Sequence, residues 1–207
     1  MKLVIFGATG SIGRQVVNQA LSQGHTATAF ARDASKVGIE HPNLRIALGD
    51  VMDPVSVENA IQDHDAVLCS IGAGRKGNVR AEGTRNIINV MQKLGIRRLI
   101  CQSSLGVGDS RGNLNAFWKY IMFGLLLRPA YADHIRQEEH VRQSNLDWTI
   151  VRPGALIDGE RTGQYKHGFP GTDKTLKLKI SRKDVADFML RQLFDTNYLY
   201  RSPGLSY

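Results

Sequence analysis

The sequence predicts an α/β domain in which a parallel sheet is covered by helices on both faces. Three observations predict it. Short apolar runs alternate with stretches of helical period over the first three quarters of the 207 residues. The first apolar run ends directly on a glycine-spaced turn, GATGSIG at 7–13, which opens a helical pattern. No Pro/Ser-rich linker, repeat or low-complexity tract divides the chain, and its length suits a single domain over 1–207 with a substantial core.

Taken in order, residues 2–6 are a short apolar run and are expected as a strand. Residues 11–23 place Ile12, Val16, Val17, Ala20 and Leu21 at helical spacing. Strands are expected at 26–31 and 44–48, a helix at 54–62 and a strand at 66–70. A helix over 78–94 ends at Gly95, a residue free to adopt the left-handed cap, and a strand follows at 98–102. Further on come a helix at 133–143, a strand at 148–151 and a helix at 182–194. Residues 106–130 and 158–179 have no clean period and are expected as irregular excursions beside the carboxyl ends of the strands. Open α/β sheets bind ligands at that edge, so a substrate pocket is expected from 106–130 and 155–180.

The 27 Lys and Arg against 19 Asp and Glu give a formal net charge of +8, which favours anionic partners. Basic residues are spread from Lys2 to Arg201 and form no run or helical stripe, so nucleic acid is not an expected partner. Cys69 and Cys101 sit in apolar runs without CxxC spacing or a histidine cluster, which leaves metal binding without support. They read as buried thiols in a reducing compartment. MKLVIFGATG runs straight into strand and turn with no room for a secretory signal, and the apolar stretch 116–127 is interrupted by Lys119 and too short to span a bilayer. The expectation is a cytoplasmic protein without a membrane partner. The oligomeric state stays open, a monomer included.

Gly7, Gly10 and Gly13 each answer a steric demand: a tight turn, close approach of backbone to a pyrophosphate, and close packing of helix on sheet. The helix that follows offers unbonded N–H groups and the positive end of its dipole. Strand, glycine turn and helix together are the fingerprint of a Rossmann dinucleotide site, whereas a bare glycine triplet also serves as a plain connection. The second strand ends in Ala31-Arg32-Asp33, where an NAD site would place a carboxylate against the ribose. Arg32, with Ser35 and Lys36 beyond it, suits a 2′-phosphate, so NADP(H) is the expected cofactor; a merely solvated Arg32 is the alternative. Asp50 and Val51 after the third strand, and Gly72 and Ala73 after the fourth, are plausible adenine and ribose contacts along the same edge. Asp50 could equally cap the helix that begins near Pro54.

GATGSIG, ARDASK, GDV, AEGTRNII, the Ser103-Ser104 pair, ADHIRQEEHVRQSNLDWTIVRPGAL and ISRKDVADFML resemble the atypical, NmrA-like short-chain dehydrogenases/reductases. Within them the chain is most similar to the biliverdin-IXβ reductase/flavin reductase group, over almost its whole length. The resemblance implies cofactor contacts at Gly7, Thr9, Gly10, Ser11, Ile12, Arg32, Ser35, Lys36, Asp50, Val51, Gly72, Ala73, Gln102, His134, Ala155 and Leu156. It also implies hydride transfer from NADPH to an open tetrapyrrole or an oxidised flavin such as FMN, with Ser104 at the active-site serine position. A serine there can hold the nicotinamide carboxamide or the acceptor near contact distance; the alternative is a pair that satisfies backbone at a strand end.

The chain departs from relatives in three places. The YxxxK pair of ordinary carbonyl reductases is missing, since Tyr131 is followed at the lysine position by Ile135. Mammalian members of the group have a histidine two residues after the proline matching Pro153, where this chain has Ala155. The stretch NLNAFWKYIMFGLLLRP is longer and more apolar than theirs. Trp118, Tyr120 and Phe123 could form a lid over a flat acceptor, with Arg75, Lys119 or Arg128 meeting its carboxylates or phosphate; a core helix or a dimer contact is the other reading. Rival functions are a quinone or small-carbonyl reductase, and a non-catalytic NADP(H)-sensing regulator or assembly factor.

Overall fold

In strand β1 (Lys2–Phe6) the residues Leu3 to Phe6 are all buried, as expected for a strand covered on both faces. Their alternation builds two core layers. Leu3 and Ile5 pack with α1 (Gly13–Ser22) and α5 (Arg182–Arg191). Val4 and Phe6 pack on the other face with α2 (Pro54–Ile61), α3 (Val79–Leu94) and α4 (Arg128–Gln143). This computed structural model describes residues 1–74 and 77–207.

β2 (Thr26–Ala31), β3 (Leu44–Leu48), β4 (Ala66–Cys69), β5 (Arg98–Gln102) and β6 (Asp147–Pro153) complete the sheet foreseen from the sequence. Its order is β3-β2-β1-β4-β5-β6, extended by β10 (Gly204–Ser206) and β8 (Lys166–His167). Every pair is parallel except β10 with β8. Strand order reverses between β1 and β4, so a crevice opens at their carboxyl ends. β7 (Ala155–Ile157) and β9 (Lys179–Ser181) form a separate parallel pair just beyond β6. None of β7 to β10 was foreseen, because strands of two or three residues show no period.

Local chemistry sets some helix ends. Asp53 caps α2, accepting from the N–H groups of Val55 at 3.2 Å and Ser56 at 3.1 Å, with Pro54 in the first turn. Asp50 is therefore not the cap. Gly95 closes α3 with φ 72°, as expected. The start of α3 is capped from 53 residues away: Asp133 of α4 accepts from the N–H of Arg80 and of Ala81, both at 3.1 Å. Its carboxylate also lies 3.6 Å from the Arg80 guanidinium.

The segment expected as irregular is partly ordered. A 3₁₀ turn covers Gly108–Asn113, a wide π-helix covers Phe117–Leu126, and α4 begins at Arg128 rather than at 133. The Leu127 N–H donates to the Met122 carbonyl at 2.7 Å, the five-residue reach of a π turn. Helix α5 ends at Arg191, three residues short of the expected end. Among the described residues no helix is long and apolar enough to cross a membrane, and no cluster suited to a metal ion occurs.

Candidate active site

The glycine turn is shaped by contacts that admit no side chain. Gly7 has φ 81°, and a Cβ there would lie on the Ser70 carbonyl at the end of β4; one at Gly13 would lie on the Gly7 carbonyl. The turn is closed by the Gly10 N–H donating to the Gly7 carbonyl at 2.9 Å. Helix α1 has no side-chain cap and no acid in its first turn. Among the described residues, the N–H groups of Ser11 and Ile12 meet no backbone acceptor. Ile12 is itself buried, so its contribution to a ligand is its amide. Orphan donors at a helix start beside a side-chain-free turn fit a pyrophosphate.

A cleft of about 470 Å³ runs from this turn across the carboxyl ends of β1 to β4. Gly7, Thr9, Gly10, Arg32, Asp50, Val51, Gly72 and Ala73 all line it, with the Phe6 and Phe30 rings at its base. Arg32 is exposed and has no carboxylate within ion-pair distance among the described residues. Ser35 and Lys36 are drawn toward Asp33 instead of standing free. The Ser35 hydroxyl donates to Asp33 at 2.7 Å and the Lys36 ammonium lies 3.8 Å from the same carboxylate. The Ser35 hydroxyl bond, with a second from the Ser35 backbone N–H at 3.0 Å, holds the Asp33 carboxyl below its ordinary range. Arg14, which the sequence reading did not single out, reaches the same loop and donates to the Lys36 carbonyl at 3.0 Å. A basic residue in the first turn of the glycine-opened helix was the available signal. Asp50 turns its own loop, accepting from the Met52 N–H at 2.9 Å.

A second cavity, about 180 Å³, lies beyond the ends of β5 and β6. It brings together Ser104, Trp118, Phe123, Ala155 and Leu156 from three separate stretches of chain. Leu105, Leu114, Leu127, Pro153, Gly154 and Leu178 complete an apolar wall in which Ser104 carries the sole hydroxyl. The serine pair divides. Ser104 faces the cavity, with only a long 3.3 Å bond to the Leu105 carbonyl, whereas Ser103 is buried and its hydroxyl has no partner among the described residues. Phe123 stacks on Tyr131 with ring centroids 4.9 Å apart, and Trp118 lies 5.9 Å from Phe123. The inner face of the π-helix is thus both cavity wall and small core, joining two readings the sequence had left as alternatives.

Several expected residues lie elsewhere. Lys119 and Arg128 line neither cavity, and Arg75 falls outside the described residues. Gln102 donates to the Ser103 carbonyl at 3.3 Å and lines neither cavity. His134 is half-buried against Gln137, Nδ1 to Oε1 3.3 Å. Burial first, and the nearby Arg80 guanidinium second, push its imidazole down to about 4, so it is neutral near pH 7. The Tyr131 hydroxyl is turned from the cavity, donating to the Gly106 carbonyl at 3.0 Å and accepting from Arg111 at 3.2 Å. With Ile135 where a lysine would stand, it is no proton donor of the usual kind.

Comparison with known proteins agrees with this geometry. A profile described as NAD(P)H-binding matches residues 7–196. The UPF0659 protein YMR090W of Saccharomyces cerevisiae is 31% identical over 95% of this chain and 88% of its own length. A short-chain dehydrogenase/reductase from Veillonella parvula, solved in complex with NADP, superposes with TM-score 0.84 at 20% identity, covering all of this chain and 94% of that one. ChuY, an anaerobilin reductase from Escherichia coli O157:H7, superposes with TM-score 0.81 at 24% identity over 99% and 96% of the two chains. A glycine cradle with orphan amides, on a Rossmann-fold sheet ordered 3-2-1-4-5-6, agrees with the match over residues 7–196, and the chain belongs to the NAD(P)H-binding family.

Proposed function

We propose that this protein is an NADPH-dependent reductase that passes hydride to a planar, conjugated acceptor, a linear tetrapyrrole or an oxidised flavin. The observation that carries this reading is the apolar slot at the ends of β5 and β6, in which Ser104 is the lone hydroxyl. Bound NADPH supplies the hydride; the chain's residues supply place and orientation. The Ser11 and Ile12 amides and the Gly7 turn would hold the pyrophosphate, and Arg32, assisted by Arg14, the 2′-phosphate. Trp118 and Phe123 offer ring faces for stacking a flat acceptor and exclude water from it. The Ser104 hydroxyl can donate to a carboxamide or an acceptor carbonyl, fixing the distance over which hydride moves. No described side chain in the slot is poised as an acid, which suits an acceptor that takes its proton from solvent.

A cavity of about 180 Å³ takes one or two rings rather than a whole tetrapyrrole, so only the reacting edge would enter. The anaerobilin reductase among the structural neighbours supports the tetrapyrrole class. The uncharged wall favours a second reading, reduction of a quinone. Stopped-flow oxidation of NADPH against flavins, linear tetrapyrroles and quinones tests both. The expected result is acceptor-dependent oxidation that Ser104→Ala slows about tenfold or more, the loss of one positioning hydrogen bond. Tight NADPH binding without turnover on any acceptor would replace catalysis with sensing or assembly.

A further inference from the structure

The π-helix Phe117–Leu126 is apolar on both faces. Its inner residues Trp118 and Phe123 line the slot. Its outer residues Phe117, Tyr120, Ile121, Leu125 and Leu126 are exposed, Phe117 by 55%, Tyr120 by 68% and Leu125 by 70%. Contiguous apolar surface of this kind marks a place of contact with something else, and a helix apolar all round is normally buried or in lipid.

Charge decides between occupants. From 110 to 132 the chain has three cations, Arg111, Lys119 and Arg128, and no acidic residue, within a protein of net charge +8. A second copy packed across a two-fold axis would bring these cations toward their own images with no carboxylate in the segment to answer them. An anionic bilayer surface satisfies every feature at once. Outer apolar side chains enter the acyl boundary, Phe117 and Tyr120 sit at the depth where aromatic rings concentrate, and the cations meet lipid phosphates. Ten residues are too few to cross the hydrocarbon, so the helix would lie in the plane of the surface.

We infer that the protein docks peripherally on anionic membranes through the outer face of the 117–126 helix. This revises the expectation, drawn from a stretch too short to span, that no membrane is involved. Spanning and surface adsorption are separate properties.

Cosedimentation with vesicles of mixed phosphatidylglycerol and phosphatidylcholine, against pure phosphatidylcholine, tests the inference at low and high salt. The protein is expected to pellet with the anionic vesicles alone and to be released by salt. The double variant Phe117→Ser, Leu125→Ser should partition about tenfold more weakly or worse, because two inserted apolar side chains are lost. Its NADPH affinity, read by calorimetry, should match the parent. A second measurement places a reporter on the outer face: brominated phosphatidylglycerol should quench the added emission of Tyr120→Trp. Absence of pelleting and quenching would overturn the docking, and so would pelleting that the double variant retains in full. A concentration-dependent dimer dissolved by the double variant would assign the face to a second copy instead. Vesicle binding requires no turnover, so failure of the proposed reaction leaves this test intact.

Discussion

We propose that Arg32, a single side chain at a strand end, sets cofactor choice. It stands beside the cleft with no described carboxylate partner, while the Asp33 carboxylate is occupied by Ser35 and Lys36. Replacing Arg32 by Asp removes the guanidinium and puts a carboxylate where a ribose 2′-hydroxyl would lie. Calorimetric affinities for NADPH and NADH should then converge or invert, and an unchanged ratio would remove Arg32 from the site. His134 has a different consequence, for stability. Its imidazole titrates near 4 in the folded protein against an ordinary 6.5. Above 6.5 it is neutral in both states and its packing contributes fully. Between 6.5 and about 4 the unfolded chain takes up a proton that the folded state refuses, so stability falls as pH falls. The melting temperature should decline over that window, and His134→Gln, which keeps a polar side chain without the titration, should flatten part of the decline; equal slopes would contradict this account.

At the scale of elements, the inner face of the π-helix is both packing surface and wall of the proposed acceptor slot. Phe123 is held by Leu105, Leu114 and the stacked Tyr131 ring, whereas Trp118 is only half-buried at the mouth. Trp118→Ala should therefore raise the acceptor KM while NADPH affinity and melting temperature stay close to the parent. Loss of folding would show that Trp118 is core. Phe123→Ala differs in kind, since deleting a buried ring costs about 3–5 kcal/mol. Length and apolar content were readable in this stretch, but with no clean period they gave neither the helix nor its direction. Which side faces the slot depends on Leu105 and Tyr131, brought in from either side of the segment in the sequence.

Across the whole molecule, the proposed site links cofactor and fold by mass action: a glycine turn that holds NADPH exists only when β1, β4 and α1 are assembled. Saturating NADPH at a hundred times its Kd should stabilise the protein by about 2.7 kcal/mol, NADH by less, as read from thermal melts at matched concentrations. A rise equal for both nucleotides would contradict the preference assigned to Arg32. The central sheet and the turn were legible because their causes are local. Apolar runs make strands, and Gly7 and Gly13 are demanded by contacts within the β1–turn–α1 unit and the neighbouring Ser70 carbonyl. The second cavity was legible chiefly through resemblance, since nothing in the spacing of Ser104, Ala155 and Leu156 tells that they meet. Asp133 capping α3, the antiparallel β8 beside β10 and the separation of Ser103 from Ser104 were not legible at all. Local order in the chain was enough to specify strands, helix periods and a phosphate-binding turn, because steric and hydrogen-bond demands act over a few residues. Which distant side chains share a cavity, and which face of an apolar helix stays bare, depended on packing between segments, whose energies exist only once the sheet has closed.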